Sequence, residues 1–106
     1  MVSISLTAEP IETLELRELC LVCGVSAELV IDLMEEGILE PVAHGRRGPL
    51  FTSVAVRRVQ IVRRLQRDLG VNRAGAGLAM ELIDELQRLR RRVALLEARD
   101  RSGPAG

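Results

Sequence analysis

Two short amphipathic helices separated by a glycine are predicted over residues 14–41, and they restrict the possible folds more than any other feature. Gly24 is expected to end the first helix, because glycine adopts the positive φ of a helix-ending turn without steric cost. Ser26 fits the N-cap of the second helix, which Gly37 ends before Pro41. Two helices joined by such a short turn form a helix-turn-helix. The apolar positions predicted to face the core are Leu14, Leu16, Leu19, Val22 and Cys23 in the first helix and Leu29, Val30, Leu33 and Met34 in the second.

The second helix of this motif has the wrong charge for reading DNA. In a DNA-binding helix-turn-helix this helix enters the major groove, where the neighbouring phosphates attract basic side chains. Here it contains no arginine or lysine, and four outward positions are acidic. One carboxylate can accept a hydrogen bond from cytosine, but four on one short helix are more than base reading requires. We therefore predict a protein-binding surface for a basic partner, with a plain solvated face as the alternative. The four residues are Glu28, Asp32, Glu35 and Glu36.

Charge is divided unevenly along the 106-residue chain, although its formal net charge is zero. Residues 1–44 contain nine acidic residues and one arginine, whereas residues 45–106 contain fourteen arginines and six acidic residues. A chain of this length is expected to form one domain, with an added helical arm. No stretch approaches the roughly 20 apolar residues that span a bilayer, and the N-terminus lacks a basic signal region. We therefore expect a cytoplasmic protein.

A small β element is predicted on both sides of the helix-turn-helix. Residues 2–6 alternate apolar side chains with serine, as a half-buried strand does. In residues 42–52, Gly45 and the Gly48-Pro49 pair bracket two arginines. This pattern predicts a hairpin, or wing, with a basic tip. Pairing between the strand and the wing is possible, although nothing in the sequence fixes it.

A third helix is predicted from a cap at Thr52 or Ser53 to Leu69, with Gly70 in the position of a helix-ending glycine. Its arginines are expected to solubilise the helix and to pair with the acidic half of the chain, and a nucleic-acid-binding stripe is the alternative. The arginines are Arg57, Arg58, Arg63, Arg64 and Arg67, and the predicted apolar stripe is Ala55, Val59, Val62, Leu65 and Leu69.

A heptad pattern of apolar residues predicts an amphipathic helix after Asn72, the expected N-cap. The spacings alternate between three and four residues, as in the contact stripe of a coiled coil. We interpret this helix as a dimerisation helix, and a helix folded back on its own domain is the alternative. The flanking charges are of both signs and do not decide between parallel and antiparallel pairing. The predicted dimerisation positions are Ala79, Leu82, Leu86, Leu89, Val93 and Leu96.

The sequence offers few groups for catalysis or metal binding. Cys20 and Cys23 form a C-x-x-C pattern, but a zinc site needs about four ligands and His44 is the only histidine. Both cysteines are expected to be reduced and to act as small core residues, with a redox pair as the alternative. There is no phosphate-binding glycine motif and no set of nucleophile, base and orienting group. We predict no enzyme activity, no cofactor and no metal site.

The order of these elements resembles that of MerR-type winged helix-turn-helix proteins. The resemblance rests on Leu16–Pro41, the wing, and F-T-S-x-A-V-R-R-V from Phe51, where that family has an aromatic residue closing the wing. With the acidic second helix, R-R-L-x-x-D-L-G-V-N at Arg63–Asn72 and L-x-x-E-L-I-D-E-L from Leu78, the chain is similar to the CbpM family of chaperone modulators. The resemblance extends over about residues 2–98.

This resemblance implies a mainly α protein. It would have a MerR-like winged helix-turn-helix with a small β wing over residues 1–75, a C-terminal amphipathic or coiled-coil dimerisation helix over residues 76–101, and a disordered tail over residues 102–106. It also implies a regulator without a cofactor that binds the J-domain of a CbpA- or DnaJ-type co-chaperone, restrains its stimulation of the Hsp70 ATPase, and forms a homodimer.

Two other functions stay open from the sequence. The first is a MerR-like transcription regulator that binds DNA through its wing and third helix, although the acidic second helix makes DNA binding a poor expectation. The second is a plain dimerisation module or an adaptor of the anti-sigma kind. Because J-domains present a basic helix to Hsp70, the acidic residues of the second helix fit the chaperone modulator best, and we expect them to contribute to J-domain binding.

Overall fold

The computed structural model describes residues 12–102, which form four α-helices and a three-stranded antiparallel sheet. The elements follow in the order β1 (Leu14–Glu15), α1 (Leu16–Cys23), α2 (Ala27–Glu35), β2 (Ala43–Gly45), β3 (Gly48–Phe51), α3 (Ser53–Leu69) and α4 (Arg73–Arg101). The predicted fold, a mainly helical winged helix-turn-helix with a long C-terminal helix, is confirmed. The strand predicted at residues 2–6 and all but the first residue of the predicted tail lie outside the described residues.

The wing is a hairpin whose second strand forms the centre of the sheet. The strand order is β1-β3-β2, and both pairings are antiparallel. Leu14, predicted to lie in the first helix, instead pairs with Phe51 in the sheet, so this prediction was wrong. Pairing with β3 gives the extended backbone before α1 its hydrogen-bond partners. Glu15 then caps α1, and its backbone N–H donates to the Glu18 carboxylate at 2.8 Å.

The turn between α1 and α2 forms as the sequence predicts. Gly24 ends α1 with a φ of 67°, in the left-handed region that glycine adopts without strain. The Ser26 hydroxyl accepts from the Leu29 backbone N–H at 3.1 Å and caps α2. These two local interactions orient the second helix of the motif.

The junction between α3 and α4 was also predicted correctly. Gly70 ends α3 with a φ of 64°. The Asn72 side-chain oxygen accepts from the Gly75 backbone N–H at 2.8 Å and caps α4. Only two residues lie between this glycine and the first residue of α4, so the long helix starts close to the end of α3.

The core is aliphatic apart from Phe51 and draws on all four helices. Most of the predicted apolar positions are buried or half-buried, but Val22 is 58% exposed and Leu69 is 71% exposed. Val22 lies at the edge of the buried side of α1, and Leu69 lies about two turns beyond Val62, the last buried residue of α3. The buried residues are Leu19, Cys23, Val30, Leu33, Ile38, Leu39, Phe51, Ala55, Val59, Val62, Ala76 and Met80.

Two arginines of α3 connect other elements to this helix. Arg58 donates from Nε to the Ile38 carbonyl at 2.7 Å and from Nη1 to the Asp84 carboxylate at 2.8 Å, which joins the loop after α2 to α4. Arg63 donates from Nη1 to the Cys23 carbonyl at 2.8 Å. This bond satisfies a carbonyl at the end of α1 that has no partner within its own helix. Both side chains are therefore structural. The α3 arginines were expected to solubilise the helix and to pair with the acidic half of the chain, whereas Arg58 binds Asp84 of α4 and Arg63 binds a backbone carbonyl.

Helix α4 begins against the core and continues into solvent. We call Arg73–Asp84 the proximal segment and Glu85–Arg101 the distal segment. Ala76 and Met80 of the proximal segment are buried, whereas every residue of the distal segment is exposed. The core therefore includes the start of α4, and the division of the chain between residues 75 and 76 stays a prediction. None of the helices within residues 12–102 has the length and apolar character needed to cross a bilayer.

Candidate partner-binding surface

The four predicted carboxylates lie along one side of α2 and at its C-terminal end. The geometry of a helix places their positions within an arc of about 100°. Glu28 lies in the first turn, where the positive end of the helix dipole favours an anion. Asp32, Glu35 and the C-cap residue Glu36 lie toward the negative end, and the last turn contains no basic residue to offset them. We call these four residues the acidic surface.

Arg73, the first residue of α4, binds two of these carboxylates. Its Nη1 lies 2.7 Å from Asp32 Oδ2, and its Nε lies 3.7 Å from Glu36 Oε2. Glu28 and Glu35 form no ion pair with any residue in the described part of the chain. The structure thus brings the four predicted residues together and divides them into a pair that shares one arginine and a free pair. Arg73 was not predicted as part of this surface, because it lies 41 residues from Asp32 in the chain.

Exposed arginines lie on other elements. Arg46 and Arg47 are at the tip of the wing, and Arg47 is 3.7 Å from the Glu15 carboxylate. Arg57 is exposed near the start of α3. These are the cations that DNA binding through the wing and α3 would use. The second helix of the motif, which would read the bases, has only carboxylates as charged groups.

The distal segment of α4 presents apolar side chains to solvent at the heptad positions. Leu89, for example, is 51% exposed. An aliphatic stripe of this kind is typical of a surface that another helix covers. We call the six heptad positions the α4 stripe. Of these residues Ala79 is half-buried, and Leu82, Leu86, Leu89, Val93 and Leu96 are exposed.

The two cysteines are free thiols in different environments. Cys23 is buried, and burial raises the pKa of its thiol, with a smaller increase from Cys20 and an opposing decrease from Arg63. A thiol with a raised pKa is a poor nucleophile at neutral pH, because the thiolate is the reactive form. Cys20 is half-buried and His44 is exposed on β2. Residues 12–102 contain no group of three or more metal-ligating side chains close enough to hold an ion.

Comparison with known proteins identifies the family. A family model described as the MerR HTH family regulatory protein matches residues 14–98. The chaperone modulatory protein CbpM of Pseudomonas putida KT2440 is 35% identical to this chain over 86 residues, which cover 81% of this chain and 85% of the relative. The chain belongs to the CbpM family. The CbpM of Coxiella burnetii strain Dugway is 29% identical over 84 residues, which cover 79% of each chain.

The matched region includes every feature of the candidate surface. Residues 14–98 contain the acidic surface of α2, the arginine that binds it, the wing and all six positions of the α4 stripe. The family match therefore extends over the whole part of this CbpM-family chain that carries these groups. The match covers the α4 stripe as well as the helix-turn-helix.

Proposed function

We propose that this chain is a non-enzymatic chaperone modulator that binds the J-domain of a CbpA- or DnaJ-type co-chaperone and thereby restrains stimulation of the Hsp70 ATPase. The observation that carries the proposal is the acidic surface, which occupies the helix that would be basic in a DNA reader. The relatives named CbpM are chaperone modulatory proteins, which supports the same class of function.

Charge complementarity links the acidic surface to this partner. A J-domain presents a basic helix to Hsp70, so carboxylates on α2 would attract the same helix. If α2 binds the basic helix of the J-domain, that helix cannot bind Hsp70 at the same time. This competition would explain how the ATPase remains unstimulated. Because the two free carboxylates, Glu28 and Glu35, are exposed, we expect the affinity to fall as salt concentration rises.

We further propose that two copies of the chain pair through the α4 stripe. The exposed leucines of the distal segment would cover one another in a two-helix coiled coil, which removes apolar surface from water. Both acidic surfaces would remain available in such a dimer, because the exposed leucines of the distal segment start about 20 Å along α4 from Arg73, which contacts the acidic surface.

Calorimetric titration with a purified J-domain of a CbpA-like co-chaperone tests the main proposal. We expect saturable binding at micromolar affinity or better. The double variant Glu28→Lys with Glu35→Lys leaves both contacts of Arg73 intact, and we expect it to weaken binding at least tenfold, about 1.4 kcal/mol, because like charges then face each other. In a parallel assay, the chain should lower J-domain-stimulated ATP hydrolysis by Hsp70 and leave the basal rate unchanged.

The matched control is Glu81→Lys with Asp100→Lys, which makes the same change in net charge on exposed positions of α4. We expect it to bind the J-domain nearly as well as the wild-type chain. Equal weakening by both double variants would show that α2 is not the docking surface. No binding by the folded wild-type chain would refute the J-domain as partner, and gel shifts with duplex DNA at low salt would then test the alternative function.

A further inference from the structure

Arg73 lies where its own helix does not favour a cation. It is the first residue of α4, and the first turn of α4 contains no acidic residue. The amide groups at a helix N-terminus attract anions and disfavour cations. Asp32 and Glu36 are also unfavourably placed, because they are anions toward the negative end of the α2 dipole. The ion pairs between Arg73 and these two carboxylates offset both unfavourable arrangements.

Contacts other than those of Arg73 also attach α4 to the domain. Ala76 and Met80 are buried in the core, and Asp84 accepts from Arg58 on α3. Arg73 and its carboxylates remain in contact with solvent, since the Arg73 side chain is 42% exposed. Exposed ion pairs of this kind are weak, so another cation can replace Arg73 at a small energetic cost.

We propose that Arg73 is an intramolecular occupant of the acidic surface, holding Asp32 and Glu36 in the place that an arginine or lysine of the partner takes on binding. The contact is autoinhibitory. A basic partner first contacts Glu28 and Glu35, and it can bind Asp32 and Glu36 only after Arg73 has dissociated from them. The identity of the partner as a J-domain rests on the proposed function, whereas the exchange of one cation for another does not.

The test is the affinity of Arg73→Ala for the J-domain, measured by calorimetry beside the wild-type chain. We expect binding to tighten about two- to fivefold, the range that corresponds to one exposed ion pair. In a background of Asp32→Asn with Glu36→Gln, the same substitution should give no gain, because Arg73 then has no carboxylate to release. Thermal unfolding followed by circular dichroism checks that each variant is folded.

Two controls separate displacement from a general change in charge. Arg64→Ala removes one exposed arginine of α3 that forms no ion pair within the described residues, and we expect it to leave the affinity nearly unchanged. A hexa-arginine peptide at low salt serves as a second probe that does not depend on the J-domain. It too should bind Arg73→Ala more tightly than the wild-type chain.

The possible results distinguish this inference from the proposed function. Binding of the J-domain with equal affinity by the wild-type chain and by Arg73→Ala would overturn the inference and leave the J-domain as partner. Tighter binding of hexa-arginine by Arg73→Ala, with no J-domain binding by either chain, would support the inference and refute the proposed partner. An equal gain from Arg64→Ala would assign the effect to net charge and also overturn the inference.

Discussion

The two segments of α4 differ in environment although they belong to one helix and both contain apolar residues at three- and four-residue spacings. In the proximal segment Ala76 and Met80 are buried, and Ile83 packs against the core. In the distal segment Leu86 and Leu89 point to solvent with similar side chains and similar spacing. The buried side and the α4 stripe are separated by about 100° around the helix axis. One side therefore serves the fold of the chain itself, and the other is available to a second molecule.

The largest expected effect is on the free energy of unfolding, when a buried side chain of the proximal segment is truncated and compared with an exposed one of the distal segment. Met80→Ala should lower the free energy of unfolding by about 2–5 kcal/mol, because it leaves a cavity in the core. Leu89→Ala removes a side chain of similar size from the exposed stripe. Urea unfolding at several protein concentrations should show a loss for Met80→Ala that is the same at every concentration. For Leu89→Ala the loss of unfolding free energy should disappear on dilution, because the dimer then dissociates and Leu89 is exposed in the monomer. An equal loss for both variants at high dilution would show that the two segments do not differ in this way.

A second prediction concerns self-association through the distal segment. Leu86→Asp with Leu89→Asp should weaken dimerisation at least a hundredfold, about 2.7 kcal/mol, because carboxylates would be buried against leucines. Sedimentation velocity should then show a monomer with an unchanged circular dichroism spectrum. The control is Gln87→Asp with Ala94→Asp, which introduces the same charge beside the α4 stripe. A dimer that persists in the leucine variant would mean that another surface holds the two copies together.

The smallest of these effects concerns the bond that holds the proximal segment to α3. Arg58→Ala removes one donor to the Ile38 carbonyl and one to Asp84, and should cost about 1.5–3 kcal/mol in the free energy of unfolding. Arg57→Ala, at the neighbouring exposed position, should change it by less than about 0.5 kcal/mol. Thermal or urea unfolding compares the two variants. Similar free energies of unfolding for the two variants would show that apolar contacts alone hold the proximal segment to α3.

Local chemistry explains what could be predicted from the sequence. Gly24 and Gly70 end helices, and Ser26 and Asn72 begin them, through contacts with residues a few positions away. The four carboxylates of the acidic surface were predicted for the same reason, because one helical turn brings neighbours in sequence to one side.

The interactions that could not be predicted are made between residues that lie far apart in the chain. Arg58, Arg63 and Arg73 find their partners 20 to 41 residues away. Helical periodicity shows only that these positions are polar, and it does not show which carbonyl or carboxylate each guanidinium meets. The prediction that Leu14 lies in a helix was wrong for a similar reason. Its strand depends on pairing with Phe51, which lies far along the chain and leaves no local signal at Leu14.

The bond from Arg63 to the Cys23 carbonyl has a consequence for how the protein is made. Both this bond and the pairing of Leu14 with Phe51 connect the helix-turn-helix to residues that leave the ribosome later. A nascent chain that has reached only Pro41 possesses the sequence of the motif without the groups that complete its first helix and its first strand. We therefore expect the motif to become stable only after α3 has been synthesised, and we expect residues 12–41 to be unstable as a separate module.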